Sequence, residues 1–120
     1  MGMTHVRVTV RNPTNPAKFW KSLFLVDTGA YDSLVPAKRL KRLGLKPRGK
    51  RTYELADGSE VDMRITTGEL EFMGRIVGNT LIFGADDAEP ILAVTALESA
   101  GLEVDPRTRR LKRLPAVPLK

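Results

Sequence analysis

Apolar and polar residues alternate from the start of the chain. Across residues 4–11, Val6, Val8 and Val10 alternate with Arg7, Thr9 and Arg11, the period of a half-buried strand. Asn12-Pro13-Thr14-Asn15-Pro16 reads as a turn or loop, because two prolines remove donors and asparagine favours turn geometry. Residues 18–26 resume as a strand. Trp20 is expected to pack or pair there, and the unbroken apolar run 23–26 predicts burial on both faces. Leu34-Val35 is a further short apolar piece. Pro36 suits the first position of a helix over residues 37–43, with Leu40 and Leu43 inward and Gly44 as its stop.

The second half is richer in turns. Residues 52–56 and 59–63 flank Asp57-Gly58, a strong hairpin signal. Its arms are polar except for Leu55, Val61 and Met63, so the hairpin is expected to project from the body. Residues 64–68, 70–73 and 75–78 read as strands with glycine-marked turns, and Thr80-Leu81-Ile82-Phe83 as a buried strand ending at Gly84. Residues 85–90 form an acidic, solvated loop without the central glycine and terminal glutamate of a calcium loop. Ile91-Leu92 is a short strand, followed by a helix over 94–100 with Leu97 inward and Gly101 as its stop. Residues 102–104 and 110–114 close the pattern, and the prolines of 115–118 exclude a central sheet position. The order is mostly β, with two short helices, no strong repeat and no linker.

At 120 residues the chain is read as one domain over 1–120, long enough for one core. With no cysteine, disulfides and thiolate metal sites are excluded. The single histidine, His5, lies in a strand pattern and is assigned no role. No apolar run reaches the roughly 18 residues of a membrane helix, no signal-peptide core is present, and Val6 stands where a Met1-Gly2 myristoylation motif needs Ser or Thr. A soluble, cytoplasmic protein is expected. The net charge of +6 is concentrated in residues 38–51 and 107–113. Neither segment holds an aromatic that could stack on a base. They read as a solvated helix face with its following loop, the sharper alternative being a surface that faces anions or acidic substrates. No nucleic acid, membrane, cofactor or metal is expected as a partner.

The candidate chemistry sits at Asp27. The apolar run 23–26 carries this one carboxylate into a Thr28-Gly29 turn. An unpaired carboxylate under apolar neighbours costs several kcal/mol or shifts its pKa to stay neutral, and no base or metal-ligand set elsewhere in the chain accounts for it.

Asp27-Thr28-Gly29-Ala30, followed by Asp32-Ser33-Leu34-Val35-Pro36, resembles the active-site segment of retropepsin-like aspartic proteases. The hairpin over 53–61 resembles their flap. Residues 91–98 and 101–106 resemble the C-terminal segment of the small prokaryotic members, and the parts stand in the expected order from 19 to 114. The resemblance implies a small closed barrel-like β fold with one or two short helices and a flap hairpin. It also implies half an active site, completed by a second copy of the chain in a homodimer. Asp27 is then the catalytic residue, and Thr28, Gly29 and Ala30 support it. Leu55, Ala56, Asp57 and Gly58 form the flap that covers a peptide substrate, and Leu34, Leu55 and Val94 are candidate pocket walls. Two departures stand out: Ala93 where the family usually has glycine, and Tyr31 and Val94 where viral members carry Asp and Arg.

Two carboxylates facing each other across a two-fold axis at about 4 Å repel by roughly 4 kcal/mol at an effective dielectric of about 20, or roughly three pKa units. The pair therefore shares one proton near neutral pH, the state needed to activate water and polarise a peptide carbonyl. The expected function is a homodimeric aspartic endopeptidase. The alternative is a non-catalytic module of the same fold that binds or dimerises, contacting acidic partners through its basic surface.

Overall fold

A computed structural model of the chain describes residues 4–119, and the Met1-Gly2 start lies outside them. Strand β1 (His5–Asn12) keeps the alternation of its sequence, with Val8 and Val10 buried. It turns back through Pro13-Thr14 into β2 (Asn15–Asp27). The connection is thus shorter than the loop expected over 12–16. Asn12 faces Asn15 while Arg11 faces Phe19, so the register slips and Pro16 falls in the irregular part of β2. A proline there leaves no gap in the ladder. Buried Asn12 fixes the turn: its Nδ2 donates to the Leu43 carbonyl at 2.8 Å and its Oδ1 accepts the Thr14 N–H at 3.0 Å.

Phe24 on β2 is fully buried, but Leu23 is 51% exposed, so the run 23–26 is not covered on both faces. A strand of a closed ring has one face on the core and one outside it, and none of the described residues covers the outer face at Leu23. Trp20 packs against the core beside Phe24 and beneath the Arg39 guanidinium.

Next come β3 (Ser33–Pro36) and helix α1 (Ala37–Arg42), with Leu40 and Leu43 buried. Pro36 stands one position earlier than expected, as the residue capping the helix. The acidic loop is not wholly given to solvent, since Asp86 Oδ1 accepts the Lys38 N–H at 3.0 Å. Strands β4 (Gly49–Glu54) and β5 (Glu60–Phe72) form the expected hairpin, and β6 (Arg75–Gly84) follows.

The turns expected at Gly68 and Gly78 are absent. β5 runs unbroken for 13 residues, with Gly68 paired to Asn79 and Gly78 to Glu69, and the chain reverses at Met73-Gly74. A Cβ on Gly68 would lie 2.4 Å from Leu81 Cδ1, so this glycine serves close packing. The chain ends with β7 (Ile91–Ala93), α2 (Val94–Ala100), β8 (Leu102–Val104) and β9 (Leu111–Arg113). Gly101 closes α2 at φ +69°, a left-handed conformation open to glycine.

The sheet order is β1-β2-β7-β3-β6-β5-β4, and β1 also pairs with β5, through Val10 opposite Leu70. The strands therefore close into a ring around Val10, Phe24, Leu40, Leu70, Leu81 and Leu92, all fully buried. Two pairings are parallel, β2 with β7 and β3 with β6. β8 and β9 pair only with each other among the described residues, and the Leu114 N–H returns to the Gly101 carbonyl at 2.9 Å. The C-terminal segment thus folds onto its own chain beside α2.

Candidate active site

The parallel pairing of β2 with β7 places Asp27 opposite Ala93, at the end of β2. The chain leaves the sheet there. The Ala30 N–H returns to the Asp27 carbonyl at 3.1 Å, and the Gly29 N–H donates to Asp27 Oδ1 at 2.9 Å. A Cβ on Gly29 would sit 3.3 Å from that same oxygen, tighter than ordinary carbon contacts. Glycine therefore lets the amide reach the carboxylate without a side chain crowding it. Asp27 stays partly exposed, so the chain does not fully bury an unpaired charge.

The start of α2 holds the rest of the loop. The Val94 N–H donates to the Ala30 carbonyl at 3.0 Å, and the Thr95 hydroxyl to the Tyr31 carbonyl at 2.6 Å. Asn79 Nδ2 in turn donates to Thr95 Oγ1 at 3.1 Å. Ala93, fully buried, donates its N–H to Ser33 Oγ at 3.0 Å. Its methyl group is accommodated while the loop and α2 stay hydrogen-bonded.

A cleft of about 490 Å³ opens beside the loop. Gly29 and Ala30 line its floor, with Leu34, Ile82 and Ile91 as apolar walls and Leu55, Val61 and Met63 reaching in from the β4–β5 hairpin. The sequence candidates separate here. Leu55 lines the cleft, whereas Ala56, Asp57 and Gly58 stand beyond it at the exposed hairpin tip. Thr28 is exposed and borders a second, apolar groove with Val94, Leu97 and Val117. Val94 is thus no wall of the first cleft. At the tip, the Ser59 hydroxyl and N–H both donate to Asp57 Oδ1, at 2.5 and 2.9 Å, and hold its carboxyl below the usual range.

Sequence reasoning missed a cluster at the cleft's polar end. Asp32 is 4% exposed, and its Oδ2 accepts from Arg51 Nη1 at 2.5 Å and from the Tyr53 hydroxyl at 2.6 Å. The Arg51 guanidinium also lies 5.9 Å from the Tyr31 ring centroid. The hydrogen bond to Asp32, then its charge, raise the Arg51 pKa. Burial first, then the bond to Asp32, push the Tyr53 phenol well above its ordinary value. One signal was available: Arg51 and Tyr53 are two apart on one strand and so share a face. Their carboxylate partner is 19 residues or more away in sequence.

The family model described as aspartyl protease matches residues 21–94, which hold the Asp27 loop, the β4–β5 hairpin and β7. No curated protein matches the chain. Among solved structures, the solution structure of Simian Foamy Virus (mac) protease matches with a TM-score of 0.57 at 15% identity, covering 79% of this chain and 92% of that one. At that identity the likeness concerns the fold: a mostly β, retropepsin-like ring of strands.

Proposed function

The chain belongs to the aspartyl protease family, and on that premise we propose that it is a homodimeric aspartic endopeptidase whose site joins Asp27 to Asp27 of a second copy. The observation that carries this reading is the Asp27 loop. A carboxylate at a strand end is oriented by the Gly29 N–H, partly exposed, and without a side-chain partner among the described residues that would neutralise it. In this reading Thr28, exposed beside it, bonds across the two-fold axis and fixes the separation of the two carboxylates.

In the dimer the pair holds one proton between them. The ionised member takes a proton from a water bound between the two. The protonated member polarises the scissile carbonyl and then protonates the departing nitrogen. Ala30 leaves room for the substrate backbone, and the β4–β5 hairpin acts as a flap, Leu55 facing the peptide and Ala56-Asp57-Gly58 forming the closing tip. The apolar walls of the cleft suit peptides with aliphatic side chains beside the cleaved bond.

The test is a peptide library assayed from acid to neutral pH with wild-type protein and Asp27→Asn. Cleavage by the wild type should follow a bell-shaped pH profile, since both fully protonated and fully ionised pairs are inactive. Asp27→Asn should abolish cleavage while the particle keeps the mass of a dimer. Cleavage at the wild-type rate in the purified variant refutes the assignment.

A second reading is favoured by one observation. Residues 38–51 carry eight cations and no carboxylate, and of these only Arg51 forms one of the ion pairs seen among the described residues. A binding module of the same fold would use this surface for acidic partners. A monomer that cleaves no peptide and binds acidic peptides in a salt-dependent way would replace the protease reading.

A further inference from the structure

The β4–β5 hairpin is attached to the ring at one end only. β5 pairs with β6 from Ile65 to Phe72, but its earlier part, Glu60 to Arg64, pairs with β4 alone. β4 pairs with no other strand among the described residues. An isolated two-stranded hairpin is marginally stable in water, so something must set its position above the cleft.

The buried Asp32 carboxylate supplies that contact. It lies in the loop that begins at Asp27, and that loop is fixed to the ring by Val94 and Thr95. Both donors to Asp32 Oδ2, Arg51 and Tyr53, come from β4. Thr52 between them bonds Asp62 Oδ1 across the hairpin at 2.6 Å, which joins the two arms at the level of the tether. We propose that Asp32 is a flap-positioning residue: its carboxylate ties the first arm of the hairpin to the catalytic loop and so sets the height of the flap over Asp27. The inference rests on the hairpin acting as the flap of a peptide cleft.

The chemistry suits a tether that holds without locking. Asp32 is buried and loses heavily if its donors leave, because a buried carboxylate without partners is costly. Arg51 is 41% exposed, and its guanidinium can exchange the carboxylate for water at little cost. The closed arrangement is thus favoured mainly from the Asp32 side, and Tyr53, part-buried against the cleft, adds a hydrogen bond from an uncharged donor, which salt screens less than the ion pair.

Hydrogen–deuterium exchange of the intact protein tests this without requiring a substrate. Tyr53→Phe removes one hydroxyl and preserves the ring, and Asp32→Asn removes the charge and preserves the shape. Each should speed exchange at the amides of Leu55 and Gly58, which close the hairpin tip, by about tenfold. The amides of Leu81 to Phe83 in β6 should be unchanged. Arg51→Lys should keep more protection than Arg51→Met. If peptide cleavage is measurable, Asp32→Asn should raise KM more than it lowers kcat. Unchanged hairpin exchange in both variants, or equal acceleration in β6, overturns the proposal. Loss of cleavage in Asp27→Asn is read separately, so failure of the tether and failure of the protease assignment are distinguishable.

Discussion

Asp27 and Asp32 are five positions apart and meet opposite environments. Asp27 ends a strand, partly exposed and with one backbone amide oriented on its carboxylate. Asp32 is buried and receives an arginine and a tyrosine hydroxyl. The first has no side-chain partner among the described residues; the second is held by two side chains of β4. The Tyr53 phenol carries a measurable consequence. Burial and its bond to Asp32 raise its pKa above the ordinary value of 10.0. The folded protein therefore retains a proton that the unfolded chain releases. The contribution to stability is complete below pH 10 and is lost as pH rises from there through the folded value. Denaturant titrations should show wild-type stability falling more steeply above pH 10 than that of Tyr53→Phe, with parallel curves below it.

At the level of elements, two glycines of one strand-turn-strand unit do different work. Gly58 closes the hairpin with φ +86°, and nothing lies within 4 Å of where its Cβ would be. The Gly58 N–H bonds the Leu55 carbonyl at 2.9 Å and the Leu55 N–H bonds the Ser59 carbonyl at 2.8 Å. This is a three-residue loop with glycine in the left-handed position, not the two-residue turn that Asp-Gly most often signals. Gly68, with no positive φ, faces Leu81 across a distance no Cβ can occupy. Gly58→Ala should cost about 1 kcal/mol through backbone strain alone. Gly68→Ala should cost about 1–3 kcal/mol through overpacking around the fully buried Leu81. Urea denaturation with both variants checks the order, and exchange at β6 amides should rise only for Gly68→Ala.

At the level of the whole molecule, the ring supplies one Asp-Thr-Gly loop per chain, and the proposed activity needs two. Activity should then depend on subunit composition. When wild-type protein is mixed with excess Asp27→Asn and allowed to exchange subunits, activity per wild-type chain should fall in proportion to the fraction of wild-type partners. Activity per wild-type chain that ignores the added variant would show that one protomer suffices. The second groove, bordered by Val94, Leu97 and Val117, meets the Asp27 loop at Thr28.

The alternation in β1, the helix stops at Gly44 and Gly101, the hairpin around Asp57-Gly58 and the Asp27 turn were all legible in the sequence, because each is set by neighbours within a few residues. The break expected at Gly68 was misread, because a glycine that ends a strand and one that lets another chain segment approach look alike in sequence. Nothing local distinguished Leu23 from Phe24, since an apolar run does not record which of its faces the ring will cover. The closure of β1 onto β5, the parallel seating of Asp27 beside Ala93 and the capture of Asp32 by Arg51 and Tyr53 were decided only in the tertiary structure. Local pattern fixes the period of a segment and the chemistry of its turns. The choice of partner joins residues far apart along the chain, and it is settled by which arrangement closes the sheet, fills the core and leaves no buried charge alone.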